Sequence, residues 1–422
     1  MVRHFRPALQ GAVTPKTDSN RTLASFWAAP YRPLFLAAYL CAFITVGWWP
    51  LGDWIGLPGP ACTPKVLWHV HELIFGFAGA AIGGYILTAL PGWTRALPTQ
   101  GSCLKALFAL WLGARIATAF ACNTFPFVPL AFNAGYFGLL AVVVGRHLWC
   151  ARAFNKLGFL CAILALGISE ALFMSATSFG MPWVAVDMTL PMTLGATMLL
   201  NGVGSRAIPA FTSNWLLSKG RSNTIPLPMA AYTILTQALL VVCILAALNG
   251  WSVCQSLAMI ATALLLIWQM RRWQTFDVLA NPLLAALHLS YLWLPIGLLI
   301  MGLSGLVSDV YRIEDALHAI TIGGLSGLIM AISGRAAAHT KAGDMKARNP
   351  FVVGVVLVWM SAVTRLTSPL MPAFQLEVLA AVVWCIGWAV FTVGFLPALT
   401  GPVHRPAFSG TKYNRFEKIR DQ

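Results

Sequence analysis

The 422-residue sequence predicts an all-α polytopic membrane protein, a single bundle of about twelve transmembrane helices. Three observations predict it. Hydrophobic residues make up 58% of the chain and charged ones only 10%. Mean hydropathy is +0.75, far from a soluble globular mix. Finally, twelve runs approach the roughly 20 apolar residues that a spanning helix needs. An even number of spans places both termini on one side.

The runs follow in order, separated by short polar loops. The first begins near Pro33, behind a leader carrying Arg3, Arg6, Lys16, Arg21 and Arg32, and the second near Val66, just past Lys65. Arg95 precedes the third run, near Cys103 with Lys105 at its head, and the fourth begins near Phe125. Arg146, Arg152 and Lys156 precede the fifth, near Leu157; the sixth starts near Trp183 and ends at Arg206. Lys219 and Arg221 lead to the seventh, near Ile225, and the eighth starts near Trp251. Arg271 and Arg272 lead to the ninth, near Pro282, and Arg312 to the tenth, near Ile313. Arg335, Lys341, Lys346 and Arg348 lead to the eleventh, near Phe351, and Arg365 lies before the twelfth, near Gln375. The tail adds Arg405, Lys412, Arg415, Lys418 and Arg420.

With loops assigned alternately, 24 of the 28 Lys and Arg fall on one side, leaving Lys65, Arg312 and Arg365 on the other and Arg115 within the membrane. The positive-inside rule therefore predicts cytoplasmic termini in a bacterial inner membrane. The division is a cytoplasmic tail over 1–32, one transmembrane domain over 33–398 and a basic cytoplasmic tail over 399–422. The formal charge of +15 is thus a topology signal, not a nucleic-acid-binding one. The leader has no short apolar core with a small-residue cleavage site, so a removable signal peptide is not expected. Nine cysteines show no CxxC and no CxxCH, which argues against zinc ribbons, iron-sulfur clusters and covalently attached haem. Most sit in apolar runs as small hydrophobes. Without a phosphate-binding loop or an aqueous domain, an ATP-driven pump is not expected.

Histidine is expensive in hydrocarbon, so intramembrane histidines are functional candidates. Trp68-His69-Val70-His71-Glu72 heads the second run, His318 lies about one turn into the tenth, and His288 lies in the ninth. By helical rise, His71 lies about 10 Å and His318 roughly 9 Å outside the midplane, a shared level at which two imidazoles could clamp a haem iron. His69 is about 200° around the helix from His71, placed for a second metal or for interfacial water. Glu72 and Asp187 fall in the same layer, as partners for a ligating imidazole, as proton relays, or as helix starts facing water. Arg115 and Glu170 both fall near the midplane, where a buried ion pair is expected. Toward the cytoplasm come His288, either ligand or hydrogen-bonded core residue, then Arg206, Arg335 and His339. The arginines suit carboxylate or phosphate oxygens, haem propionates included, or snorkel to the interface. His147 and His404, each beside an arginine, read as solvated interface residues. Met188 and Met192 share a face of the sixth run, and their thioethers either ligate Cu(I) or pack.

The residues resemble the NnrS family, haem- and copper-containing membrane proteins associated with nitric oxide metabolism and nitrosative stress. Four strings carry the resemblance: Pro30-Tyr31-Arg32-Pro33-Leu34-Phe35; Trp68 through Phe77 with Leu90-Pro91-Gly92-Trp93-Thr94; Arg206-Ala207-Ile208-Pro209-Ala210-Phe211-Thr212; and Ala316-Leu317-His318 through Ser333-Gly334-Arg335 to His339-Thr340. The resemblance implies non-covalent haem, of b type, and copper, held by His69, His71, His288, His318 and His339. It departs from the family pattern at Phe173-Met174, where a histidine is often found, and at Ala338, where glycine is common. Helix count and histidines on the second and tenth spans also resemble haem-copper oxidases and nitric oxide reductases. The sixth and seventh runs lack histidine, however, so the three-histidine centre of those enzymes cannot be built there.

Two function classes follow. The first is a redox or nitric-oxide-handling haem protein, with nitric oxide or an iron-nitrosyl species as partner and a separate electron donor. The second is a transporter or assembly factor for haem, copper or a nitrogen species.

Overall fold

The computed structural model describes residues 25–61, 64–122, 124–221, 225, 230–307, 311–340, 344–404 and 406–409. Among these, twelve helices are long and apolar enough to span a membrane. They are α1 (Tyr31–Trp54), α2 (Lys65–Thr94), α3 (Ser102–Phe120), α4 (Phe127–Cys150), α5 (Phe154–Ser178) and α6 (Pro182–Ser218), then α7 (Ala231–Leu248), α8 (Ser252–Met270), α9 (Pro282–Leu306), α10 (Ile313–Ala336), α11 (Asn349–Leu370) and α12 (Leu376–Leu399). The expected all-α membrane bundle is the observed one.

Neighbours in sequence are mostly neighbours in space, and α12 packs back on α1, closing the arrangement. The apolar windows of α2 and α10 are 72% buried, against 22% for α5 and α7, so the two histidine-headed spans are interior and the latter two face lipid. Large exposed side chains such as Ile168, Leu172 and Leu245 form that lipid face. α6 differs from expectation: it does not stop at Arg206 but continues through Pro209 to Ser218. At about 1.5 Å per residue its 37 residues outrun the roughly 30 Å hydrocarbon core, so its last turns project beyond it.

Both interior helices switch to π geometry immediately after a histidine, over Glu72–Ala78 in α2 and Ala319–Ser326 in α10. A π turn widens the helix and disturbs its backbone hydrogen bonds, and such turns recur at functional sites. In hydrocarbon, every displaced carbonyl needs an internal partner. Trp111 Nε1 donates to the Gly76 carbonyl at 2.9 Å, and the Tyr136 hydroxyl to the Gly79 carbonyl at 2.9 Å. In α10, Ser326 Oγ donates to the Thr321 carbonyl at 2.9 Å. Glycine opens both stretches to their neighbours. A side chain at Gly76 would collide with Arg115 and Cys41, and one at Gly323 with the Trp293 ring.

The start of α1 meets the segment after α12. Arg32, fully buried, donates to the Ser25 carbonyl at 2.5 Å and to the Gly401 carbonyl at 2.9 Å. Phe408 packs against Phe35 and Tyr85. Seven described cysteines are free thiols, whereas Cys122, just past α3, is disulfide-bonded and so departs from the small-hydrophobe reading.

Overpacking a filled interior typically costs about 1–3 kcal/mol. Gly76→Ala and Gly323→Ala are expected to lower the thermal unfolding midpoint in detergent. Gly138→Ala, whose added methyl meets nothing within 4 Å, should leave it unchanged.

Candidate functional site

The first cluster forms around His71, at the point where α2 turns into its π segment. His71 is wholly buried, and both ring nitrogens face carboxylates: Nδ1 lies 3.1 Å from Glu72 Oε1 and Nε2 lies 3.4 Å from Glu170 Oε1 on α5. Glu72 also lies 3.0 Å from Arg115 Nη1 on α3, and Arg115 Nη2 donates to Asn133 Oδ1 on α4. The expected Arg115–Glu170 pair is therefore not formed; Arg115 takes the acid beside His71, and Glu170 takes the imidazole. Cys41 on α1 adds a thiol 3.6 Å from the Glu72 carbonyl.

Two carboxylates against one guanidinium leave one negative charge. One proton, shared among His71 and the acids, neutralises the group, as burial in hydrocarbon demands. His71 consequently has no ring nitrogen open for a metal. The cavity beside it, lined by Trp68, Phe173, Met174 and Thr177 among others, has a volume of about 10 Å³. That is room for about one water and far too little for a macrocycle.

His69 lies on the other side of α2, where its ring faces Trp49. It lies within electrostatic reach of His318, and both feel Arg365. Trp49 packs edge-on to the His69 ring at 5.2 Å, and His69 Nδ1 is buried with no hydrogen-bond partner. His318 Nδ1 donates to the Asp315 carbonyl at 3.2 Å, which fixes the ring and directs Nε2 away as a lone-pair donor. Asp315 in turn holds Arg365 at 2.8 Å. His69 and His318 thus each keep a nitrogen without a hydrogen-bond partner, whereas both nitrogens of His71, the expected partner of His318, face carboxylates. No group of three or more His, Cys, Asp or Glu able to hold a metal ion occurs among the described residues. A bare ion usually takes three or four protein ligands. Haem iron receives four from its macrocycle and needs only two axial imidazoles. His69 and His318 supply two nitrogens, the number a haem iron needs beyond its macrocycle and fewer than a bare ion takes.

The cytoplasmic candidates separate. His288 is fully buried between two hydroxyls, Thr212 Oγ1 at 2.8 Å from Nε2 and Thr275 Oγ1 at 2.9 Å from Nδ1, with Trp273 edge-on. Both nitrogens are satisfied, as in a hydrogen-bonded core residue. Arg335 lies under Phe211, 4.1 Å from the ring centre, and donates to the Phe408 carbonyl at 2.5 Å. His339 Nε2 donates to the Ala407 carbonyl at 2.8 Å, and its ring stacks on His404 at 4.5 Å. Burial, reinforced by His404 and Arg335, holds its pKa below the ordinary histidine value despite that carbonyl. Arg206 is exposed on α6, and Asp187 is exposed near the start of α6. Met192 is buried and Met188 half-buried in the apolar core, where they pack. Sequence reasoning missed Asn133, Thr212, Thr275 and the stacking of His404. A polar residue within an apolar run was the signal available for Asn133.

The family model described as NnrS protein matches residues 25–402, which include both histidine clusters. No curated protein matches the chain.

Removing one partner of a buried ion pair typically costs about 3–5 kcal/mol. Arg115→Leu should therefore sharply reduce the yield of folded protein by size-exclusion chromatography. Combining it with Glu72→Gln should recover most of that yield, because no charge is then stranded.

Proposed function

Because the chain belongs to the NnrS family, we propose that it is a haem-containing membrane protein that handles nitric oxide, with His69 and His318 as the residues that hold the haem iron. The observation that carries this reading is the pair of imidazoles on the two interior spans, each with one nitrogen uncommitted and no third donor grouped with them. Bound haem would supply a redox-active iron for electron transfer in nitric oxide chemistry. The chain's own residues orient the imidazoles: the Asp315 carbonyl sets the His318 tautomer, and Arg365, held by Asp315 and Ser368, adds a positive charge nearby. The His71 cluster supplies an exchangeable proton in the same outer layer. An electron donor, copper, and an iron-nitrosyl form of the substrate belong to the same proposal.

The site is placed on the outer side of the bacterial inner membrane, with both termini cytoplasmic. The Lys and Arg asymmetry supports this, and so does the disulfide at Cys122, next to α3's end on the opposite face from Arg32 and Gly401. Disulfides persist in oxidising compartments.

Reduced-minus-oxidised spectra with haem and copper quantification test the ligand assignment. His69→Ala or His318→Ala should abolish the low-spin haem spectrum, whereas His71→Ala and His288→Ala should keep it in whatever protein folds. Loss confined to the His71 variant would overturn the pairing.

Topology is tested by reporter fusions at Pro58 and Gln422, which should report opposite sides of the membrane. Identical readings from both would overturn the orientation.

A further inference from the structure

Two residues of the sequence motifs, Trp93 and Arg206, come together with Lys156 at one level of the bundle. By helical rise, Lys156 lies about 33 Å from Ser178 at the opposite end of α5, and Arg206 about 36 Å from Pro182 at the opposite end of α6. A hydrocarbon core of about 30 Å leaves both cations at the level of the lipid headgroups. Trp93 closes α2 at the same end, where tryptophan belongs in a membrane protein.

The three side chains form one patch. Lys156 Nζ lies over the Trp93 ring, 5.6 Å from its centre, and Trp93 stacks on Phe159 at 4.6 Å. Lys156 is half-buried and lies within electrostatic reach of Arg206, which is exposed on α6 beside α5. Lys219 and Arg271 also cover indole rings, those of Trp215 and Trp268, but each ring lies one turn back along the same segment. That is ordinary snorkelling. Lys156 instead meets a ring from a second span and a cation from a third.

Among the described residues, neither Lys156 nor Arg206 forms an ion pair. Two described acids lie on this side of the bundle, Asp277 and Asp344, and Asp277 is held by Arg221 at 3.0 Å. Two cations in mutual reach repel, and the half-buried ammonium has also given up part of its hydration. An anion between them relieves both costs. At this level a membrane offers the lipid phosphodiester, and below it α5 turns Leu164 and Ile168 outward to the acyl chains. No described acid stands there to receive the ammonium of a zwitterionic headgroup.

We propose that Lys156, Arg206 and Trp93 form a binding site for an anionic phospholipid, with the phosphate between the two cations and the acyl chains along α5. Guanidinium and ammonium groups donate charge-assisted hydrogen bonds to phosphate oxygens, and basic pockets between spans hold lipid headgroups in this way. The bound lipid bridges α2, α5 and α6. α5 gains most from such a bridge, since its apolar window is only 22% buried although it carries Glu170 to His71. The site is defined by headgroup depth, so it depends neither on haem nor on which side of the membrane is cytoplasmic.

The test titrates full-length protein in detergent with phosphatidylglycerol, phosphatidylcholine or inorganic phosphate. Native mass spectrometry counts the lipids retained, and the thermal midpoint is read in parallel. Wild type is expected to retain phosphatidylglycerol severalfold more tightly than phosphatidylcholine, with no change of midpoint in inorganic phosphate. Equal retention of the two lipids overturns the proposal, as does a midpoint rise in inorganic phosphate equal to that in phosphatidylglycerol. Lys156→Gln combined with Arg206→Gln should lower phosphatidylglycerol retention severalfold. Arg146→Gln combined with Arg152→Gln removes the same charge from exposed positions near the end of α4 and should leave retention at the wild-type level. Equal losses in the two double variants trace the preference to bulk charge and overturn the site. Arg206→Gln alone, at an exposed position, gives the same reading should the first double variant fail to fold.

Discussion

The ion pair between Arg115 and Glu72 is the constraint on which the first half of the bundle depends. Neither charge is tolerable alone at this depth, and the geometry that joins them fixes several other choices. Position 76 must be glycine, since any side chain there would displace the guanidinium. Asn133 must face inward to take the second guanidinium nitrogen. With one Glu72 oxygen held by Arg115, the other faces His71, and the far side of that imidazole turns to Glu170. Four spans are thereby keyed to one another by directional contacts, which apolar side chains against lipid cannot supply. The same contacts close His71 to metals.

The interior helices share a local plan. In each, a histidine precedes the π segment, and a glycine follows five residues on, Gly76 after His71 and Gly323 after His318. What fills the space beside the glycine differs. In α2 it is the Arg115 guanidinium; in α10 it is the Trp293 ring. The charged filling gathers acids around His71 and occupies both its nitrogens. The apolar filling asks nothing of His318, whose ring is held by a single backbone carbonyl. One plan therefore yields a closed, proton-bearing imidazole in α2 and an open one in α10.

Legibility in the sequence follows dimension. Distance along the membrane normal is readable from helical rise, and it placed the His71 layer, Glu72 and the inner His288 layer where the spans allow them. Lateral position is not readable from one chain, and the ligand pairing depended on it. His69 and His71 differ by about 3 Å in depth but lie on opposite sides of the helix, so depth alone could not choose between them as the partner of His318. Glu170 was matched to the nearest opposite charge at its level, Arg115, when the adjacent acid Glu72 had the shorter path to that guanidinium. The end of α6 was misread for another reason. Arg206 was read as its end, yet the helix runs on through Pro209, because a proline removes only one backbone donor and is tolerated in membrane helices where neighbouring groups answer the freed carbonyl.

That proline also bears on the division between the two halves of the molecule. In the first half, the cluster around His71 sets two acids against one guanidinium and one imidazole. In the second half, a proline, an asparagine and a serine on α6 stand near a serine and an indole on α9 and α11, with donors and acceptors that protein atoms leave unanswered. Replacing these groups with apolar ones of similar size would remove a repeated desolvation penalty at no loss of packing. Polar groups without partners are thus unfavourable for folding in this layer, and the fold carries several of them within one or two turns of one another.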